Sequence, residues 1–206
     1  MVYESDHPLI KNKLTLLRDK KTSHKKFREL SNEITMLLAY EALKDIETKE
    51  VDVETPIEVT KGIEIVSDLV IVPILRAGVG MLDGITSLIP TARTGFVGVY
   101  RDPETKKPIE YYCKFPEEIE SPMAIVVDPM LATGGSMCAT IDMLKEKGFN
   151  SIKVITIISA PEGIEEVKKY HPEVDIYTGN IDRFLNENKY IVPGLGDAGD
   201  RLFGTK

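Results

Sequence analysis

The densest chemistry in this chain lies in Asp128-Pro129-Met130-Leu131-Ala132-Thr133-Gly134-Gly135-Ser136, which follows the apolar run Met123 to Val127. An acid ends a strand-like run. A short loop follows, then two glycines and hydroxyls opening an amphipathic segment. That pattern makes an anion site at a helix start. Glycines let the backbone come close to a ligand. Free N–H groups and the positive end of the helix dipole favour a phosphate there. Thr133 and Ser136 add hydroxyl hydrogen bonds. Asp128 is placed to accept from sugar hydroxyls or to help hold a metal. The chemistry implied is a phosphorylated sugar, with its phosphate in the loop and its hydroxyls on the acid. The segment is not a nucleoside-triphosphate loop, because Gly135 is followed by Ser136 and Met137 rather than by Lys-Ser or Lys-Thr. Nor does it have the GxGxxG spacing of a dinucleotide site.

A second loop, Pro73-Ile74-Leu75-Arg76-Ala77-Gly78-Val79-Gly80, puts a guanidinium at a strand end before two glycines. A planar fork of donors in that place suits a diphosphate. The backbone near Arg76 and Ala77 is expected to be strained, through a non-proline cis bond. Arg101, just past the next strand, is a further loop-borne cation. The third cluster is Tyr190-Ile191-Val192-Pro193-Gly194-Leu195-Gly196-Asp197-Ala198-Gly199-Asp200-Arg201. Its glycines and proline argue against a helix or a central strand. They favour a compact pocket whose backbone N–H and C=O groups read a flat base edge, with Asp197 and Asp200 adding negative charge.

These loops need elements to position them. Pro8 to Asp19 reads as a short helix, and Ser23 as the N-cap of a long one. Phe27, Leu30, Ile34, Leu37, Leu38, Ala42 and Ile46 form one apolar stripe on it. Glu50 to Val59 alternates acids with Val or Ile, as a half-exposed strand does. From Asp68 onward, apolar strands at 69–75, 94–100, 123–128, 152–158 and 174–177 alternate with helices at 80–88, 134–147 and 161–170. This predicts an α/β fold, a mostly parallel sheet covered by helices. Ligands then bind at the carboxyl ends of the strands. The polar stretch Arg101 to Pro108 and the returning strand Ile109 to Phe115 predict a β-arm over about 100–115, acting as a lid or a dimerisation arm.

The chain has 206 residues, 42% of them hydrophobic, which suits one domain over 1–206. Its 33 acids outnumber 26 Lys and Arg, for a net charge of −7. That balance disfavours nucleic acid and anionic membranes as partners. Cys113 and Cys138 lack metal-ligand spacing and read as packing residues without a disulfide. The N-terminal residues carry no basic and apolar leader pattern, and no apolar run reaches membrane-spanning length, so the expectation is cytoplasmic. His7 before Pro8 reads as a turn at a helix start, and His171 before Pro172 as a surface loop.

Together the loop at Asp128, the Val72-to-Gly78 segment and the Ile191-to-Asp200 segment resemble the uracil phosphoribosyltransferases, a branch of the type I phosphoribosyltransferases. The resemblance covers nearly the whole chain, from His7-Pro8-Leu9 to Phe203-Gly204-Thr205-Lys206. It implies that uracil and 5-phosphoribosyl 1-diphosphate give uridine 5′-monophosphate and diphosphate, with Mg²⁺. By position, Arg76 and Arg101 would hold the diphosphate, Asp128 the ribose hydroxyls, and the loop from Pro129 through Ser136 the 5-phosphate end. Ile191 and Ala198 would donate N–H bonds to uracil carbonyls, the Gly196 carbonyl would accept from the ring N–H, and Asp197 would lie near the reacting nitrogen. Arg76, Arg101 and Asp197 are the catalytic candidates. Many members of the wider family carry two adjacent acids at the strand end. Here Pro129 follows Asp128, so Mg²⁺ is expected to sit on substrate oxygens and water rather than on protein ligands. The resemblance also implies a C-terminal base-binding hood over about 180–206, a homodimer or homotetramer, and GTP as an effector. The other reading is a non-catalytic nucleotide- or RNA-binding regulator on the same fold.

Overall fold

The computed structural model describes residues 1–101, 108–117 and 122–205. In chain order its strands are β1 (Val2–Glu4), β2 (Thr48–Glu54), β3 (Val59–Ile65), β4 (Asp68–Leu75), β5 (Arg93–Thr94), β6 (Phe96–Arg101) and β7 (Pro108–Lys114). They continue with β8 (Pro122–Val127), β9 (Met130–Leu131), β10 (Ser151–Thr156), β11 (Ile158–Ser159), β12 (Asp175–Thr178), β13 (Phe184–Leu185) and β14 (Ile191–Val192). The helices are α1 (Pro8–Arg18), α2 (His24–Ala42), α3 (Leu82–Thr86), α4 (Gly135–Glu146), α5 (Pro161–Tyr170) and α6 (Ala198–Phe203).

The main sheet runs β1-β12-β10-β8-β4-β6-β7, with β5 beside β4. Its pairings are parallel except the last, where β7 returns antiparallel along β6. Parallel strands buried on both faces read as unbroken apolar runs, as β4 and β8 do. Successive side chains on β4 alternate between two cores. Leu69 and Ile71 face the layer of α1 and α2, while Val70, Val72 and Ile74 face α4 and α5. Pro73 has no N–H to give a ladder. It sits beside the interruption between β5 and β6, where the partners of β4 pass from Thr94 to Val97.

The strand order creates the site. From β4 the chain crosses to β6 on one side, and from β8 it crosses to β10 on the other. A crevice opens where these directions diverge. It lies above the carboxyl ends of β4 and β8, which lead into Arg76 and Asp128.

The helix starts are set locally. The Ser23 side chain accepts from Lys26 N–H at 3.3 Å, and His7 Nδ1 caps α1 through Leu9 N–H at 3.2 Å. Three sequence expectations need correction. The single strand read over 50–59 is a hairpin, β2 with β3, because the Thr55 hydroxyl accepts from Ile57 and Glu58 N–H groups and turns the chain. The helix read over 80–88 is a 3₁₀ turn, Ala77–Met81, followed by the short α3. The 190–201 segment, expected to hold neither a helix nor a central strand, contains the start of α6, while its two-residue β14 lies outside the main sheet. The arm read over about 100–115 is the β6–β7 edge hairpin, with 102–107 outside the described residues. Among the described residues no helix is long and apolar enough to cross a membrane.

Candidate functional site

The phosphate-type loop is tied down on one side and open on the other. Asp128 leaves β8 with its N–H on Ile155 O at 3.3 Å. Its Oδ1 accepts from Met130 N–H at 3.2 Å. The Pro129 carbonyl accepts from Ile157 and Ile158 at 3.1 Å, so Pro129 is turned into the scaffold. Leu131 O accepts from Ala160 N–H at 2.8 Å, which fixes β9 on β11 beside α5. Gly134 caps α4 with φ of 83°, and a Cβ there would lie 2.9 Å from both Glu166 Cβ and Gly163 O. Only glycine satisfies that backbone and that space at once. The open side holds a pocket of about 70 Å³ lined by Asp128, Thr133, Gly134 and Ser136 among others. A small polar cavity at the start of a twelve-residue helix suits an anion.

Asp128 is half-buried at the edge of this pocket. Burial pushes its carboxyl up to about 7, with the Met130 N–H pulling the other way. A carboxylate so placed is stabilised by incoming donors, such as ribose hydroxyls, that replace lost water.

The Arg76 loop closes the crevice opposite. A Cβ on Gly78 would fall 2.5 Å from Val127 O, so this turn passes against the end of β8. The Leu75–Arg76 peptide is cis, at the non-proline position beside Arg76 that the sequence points to. The Arg76 side chain is exposed, and its Nη2 lies 3.9 Å from where a Cβ on Gly199 would sit. The strand-end cation and the C-terminal segment therefore share one space. Arg101 ends β6 at the same sheet edge, and its side chain lies outside the described residues.

The hood is a chain reversal whose polar groups are sorted by use. β13 and β14 pair antiparallel, with Ile191 across from Leu185. Asn186 N–H donates to Tyr190 O at 2.8 Å, one pair along. Hydrogen-bonded and non-hydrogen-bonded pairs alternate, so the N–H of Ile191 points away from β13. Gly194 O accepts from Arg18 at 2.8 Å, and Leu195 O accepts from Arg201 at 2.8 Å. Gly196 follows in the left-handed region, with φ of 84°, and no bond to its carbonyl is seen among the described residues. Ala198 is the first residue of α6, where an N–H has no intrahelical partner. Asp197 is the N-cap, its Oδ1 accepting from Asp200 N–H at 2.9 Å. The three proposed base-reading groups are among those left open after the segment folds.

The sequence missed three residues that build this site. Arg18, Asp182 and Arg201 brace the hood from outside, and Arg201 also reaches Asp19 O at 2.6 Å while stacking on Phe27 at 4.4 Å. His171, expected on a surface loop, is buried under α4. Its Nδ1 lies 2.9 Å from Lys145 Nζ. Burial, then the Lys145 charge, hold its pKa below the ordinary histidine value.

Among the described residues no three of His, Cys, Asp or Glu gather as a metal cage. One strand-end carboxylate fits an ion carried on substrate oxygens, not one held by the protein alone. Cys113 and Cys138 are free.

A family model described as uracil phosphoribosyltransferase matches residues 4–205. The chain is 61% identical to a uracil phosphoribosyltransferase of Clostridioides difficile over 206 residues, covering all of this chain and 99% of that protein. Among solved structures, the AQ2163 protein from Aquifex aeolicus superposes with a TM-score of 0.94 at 39% identity, covering 100% of this chain and 99% of that one. A hypoxanthine-guanine phosphoribosyltransferase from Bacillus anthracis shares the fold alone, with a TM-score of 0.51 at 14% identity over 77% of this chain and 80% of that one.

Proposed function

The chain belongs to the uracil phosphoribosyltransferase family, and on that premise we propose how its loops divide the work of joining uracil to 5-phosphoribosyl 1-diphosphate. The products are uridine 5′-monophosphate and diphosphate. The observation that carries the division is the convergence of Arg76, Asp128 and the hood on one crevice at the ends of β4 and β8.

The 5-phosphate sits at the α4 start, on the N–H groups and hydroxyls of Thr133 to Ser136. Met130, Leu131 and Ala132 shape that loop, and Pro129 anchors it. Asp128 accepts from the ribose hydroxyls. The bond from C1 to the diphosphate oxygen breaks, and a bond from C1 to uracil N1 forms. Arg76 and Arg101 stabilise the negative charge growing on the diphosphate. Uracil is held at C1 by Ile191 N–H, Ala198 N–H and Gly196 C=O, which supplies proximity. Asp197 faces the reacting nitrogen, where it stabilises the developing cationic sugar or accepts the N1 proton, which otherwise passes to water. Mg²⁺ on the donor's oxygens would add to the neutralisation of the leaving group, with Asp128 as the strand-end carboxylate available to it. No observation favours the non-catalytic reading.

The finer parts of the proposal concern assembly and setting. Among the described residues β2 and β3 pair only with each other, and Ile57 in their turn and Ile63 on β3 are 92% and 77% exposed. An isolated two-stranded hairpin is marginal in water. This supports a homodimer or homotetramer, read out by sedimentation of the wild type against Ile63→Lys. The enzyme is placed in the cytoplasm, and GTP is kept as an effector, tested by the donor KM with and without it.

The site itself is tested by Ala198→Pro. Proline is tolerated at the first helical position, and the extended backbone of Asp197 suits a following proline. The change removes one N–H and little else. Uracil kcat/KM should fall about tenfold to a hundredfold while the donor KM stays put. An unchanged uracil KM in the folded variant would remove Ala198 from the pocket.

A further inference from the structure

The bend of the hood is gripped from outside by two charged side chains. Asp182 Oδ2 accepts the Gly194 N–H at 2.8 Å, and the Asp182 side chain is 0% exposed. Arg18, the last residue of α1, donates to the Gly194 carbonyl at 2.8 Å. The same guanidinium meets Asp182 in a fork, at 2.7 Å to Oδ2 and 2.5 Å to Oδ1. Asn180 Nδ2 completes the set on Oδ1 at 2.7 Å. A buried carboxylate is costly unless paired and hydrogen-bonded, and this one is both. The two polar backbone groups of Gly194, a residue with φ of 66°, are thus held by one ion pair reaching across 164 positions of chain.

Gly194 lies between the two halves of the base pocket. Ile191 precedes it, and Gly196 and Ala198 follow. The two peptide planes meeting at Gly194 set the distance and angle between those halves. Neither Arg18 nor Asp182 belongs to the groups that would touch uracil. We propose that Arg18 and Asp182 are positioning residues for base recognition, fixing the spacing of the N–H, C=O and N–H groups that distinguish uracil from other pyrimidines. This rests on the hood being the base pocket.

The roles of charge and shape follow from the fork. Lysine at position 18 keeps a cation beside Asp182 but cannot span both Asp182 oxygens and Gly194 O in one plane. Asparagine at position 182 keeps the shape but gives up the charge and one acceptor. In either case the pocket groups shift by a fraction of an ångström, and a misplacement near 1 Å costs about a hundredfold in rate.

The test is steady-state kinetics of Arg18→Lys, Asp182→Asn and Ala198→Pro, with uracil and cytosine as acceptors and circular dichroism as the folding check. Arg18→Lys and Asp182→Asn should each raise the uracil KM about tenfold and shrink the uracil-over-cytosine ratio by a similar factor, with the donor KM within about twofold. A merely structural loosening would move both substrates' constants together and leave the ratio alone, which would overturn the inference. If Asp182→Asn does not fold, Arg18→Lys carries the test. An Ala198→Pro effect on uracil alone, with Arg18→Lys silent in folded protein, overturns the positioning role and leaves the pocket standing. A silent Ala198→Pro overturns both.

Discussion

Nη2 of Arg76, at the end of β4, lies 3.9 Å from the point where a Cβ on Gly199 of α6 would project. These residues come from opposite ends of the catalytic half of the chain. Their approach leaves a cation facing the hood from the crevice at the end of β4, where the diphosphate is proposed to sit. A residue larger than glycine at 199 would intrude between them, and Asp197 Oδ1 is already 3.3 Å from that point.

Arg76→Ala should lower kcat/KM for the ribosyl donor by about a hundredfold to a thousandfold, the scale for loss of one charge-stabilising group. The side chain is exposed and caps no helix, so the melting temperature should move little. Donor kinetics and thermal melting of one preparation check this. Near-normal kcat/KM would remove Arg76 from the leaving-group site.

Asp128 predicts a pH dependence with a definite sign. Its carboxyl titrates at about 7 in the folded protein against an ordinary value of 3.8. Kcat/KM reports groups of the free enzyme. It should therefore rise with pH toward a plateau above about 7, as Asp128 ionises and becomes an acceptor for ribose hydroxyls. Asp128→Asn should flatten that limb while lowering the plateau. In the ligand-free protein the raised value means the folded state binds the extra proton. Its stabilising contribution is therefore full at low pH and lost as pH rises from about 4 to about 7. Asp128→Asn should remove that loss, so the variant gains on the wild type at pH 8 relative to pH 5 in denaturant titrations. Equal pH slopes for the two proteins would contradict the assignment.

Much of this arrangement was legible in the sequence because its signals are local. Pro8 and Ser23 mark helix starts, and the apolar runs of β4 and β8 mark buried parallel strands. The two-glycine loop after Asp128 marks the α4 start. What stayed hidden depends on distant partners. The Ala77–Met81 turn is tightened because Gly78 must pass Val127 O, a contact no local pattern announces. The hairpin turn at Thr55 uses a hydroxyl in place of a glycine. Helix α6 hides behind Gly199, which reads as a helix breaker in the sequence but is the second residue of α6. Arg18 and Asp182 look like ordinary surface charges until the fold brings them together.

Asp197 carries two duties that substitution can separate. Its carboxylate caps α6 through Asp200 N–H and faces the proposed N1 position. Asparagine caps a helix about as well as aspartate, whereas alanine forfeits about 1 kcal/mol. Asp197→Asn should therefore melt near the wild type yet lose kcat, with the uracil KM little changed. Asp197→Ala should lose both kcat and stability. If Asp197→Asn turns over at the wild-type rate, the residue is a cap and nothing more.

Base choice is the most demanding prediction, because it depends on which backbone groups the fold leaves open. The carbonyls of Gly194 and Leu195 are occupied by Arg18 and Arg201, while Ile191 N–H turns away from β13 and Ala198 N–H stands at a helix start. With the Gly196 carbonyl between them, these two N–H groups offer donor, acceptor, donor. Uracil presents the complement, two carbonyls flanking an N–H. Cytosine presents an amino group in place of one carbonyl and a bare nitrogen in place of the N–H, so two of three bonds meet the wrong partner. A buried group left unmet costs about 1–3 kcal/mol, so two mismatches imply discrimination of about two to four orders of magnitude. Competition between uracil and cytosine for a limiting donor measures the ratio directly. Ile191→Val leaves the backbone groups in place and should keep it, although the rate will fall with packing. A wild-type ratio within about tenfold, only about 1.4 kcal/mol, would mean that some other set of groups reads the base.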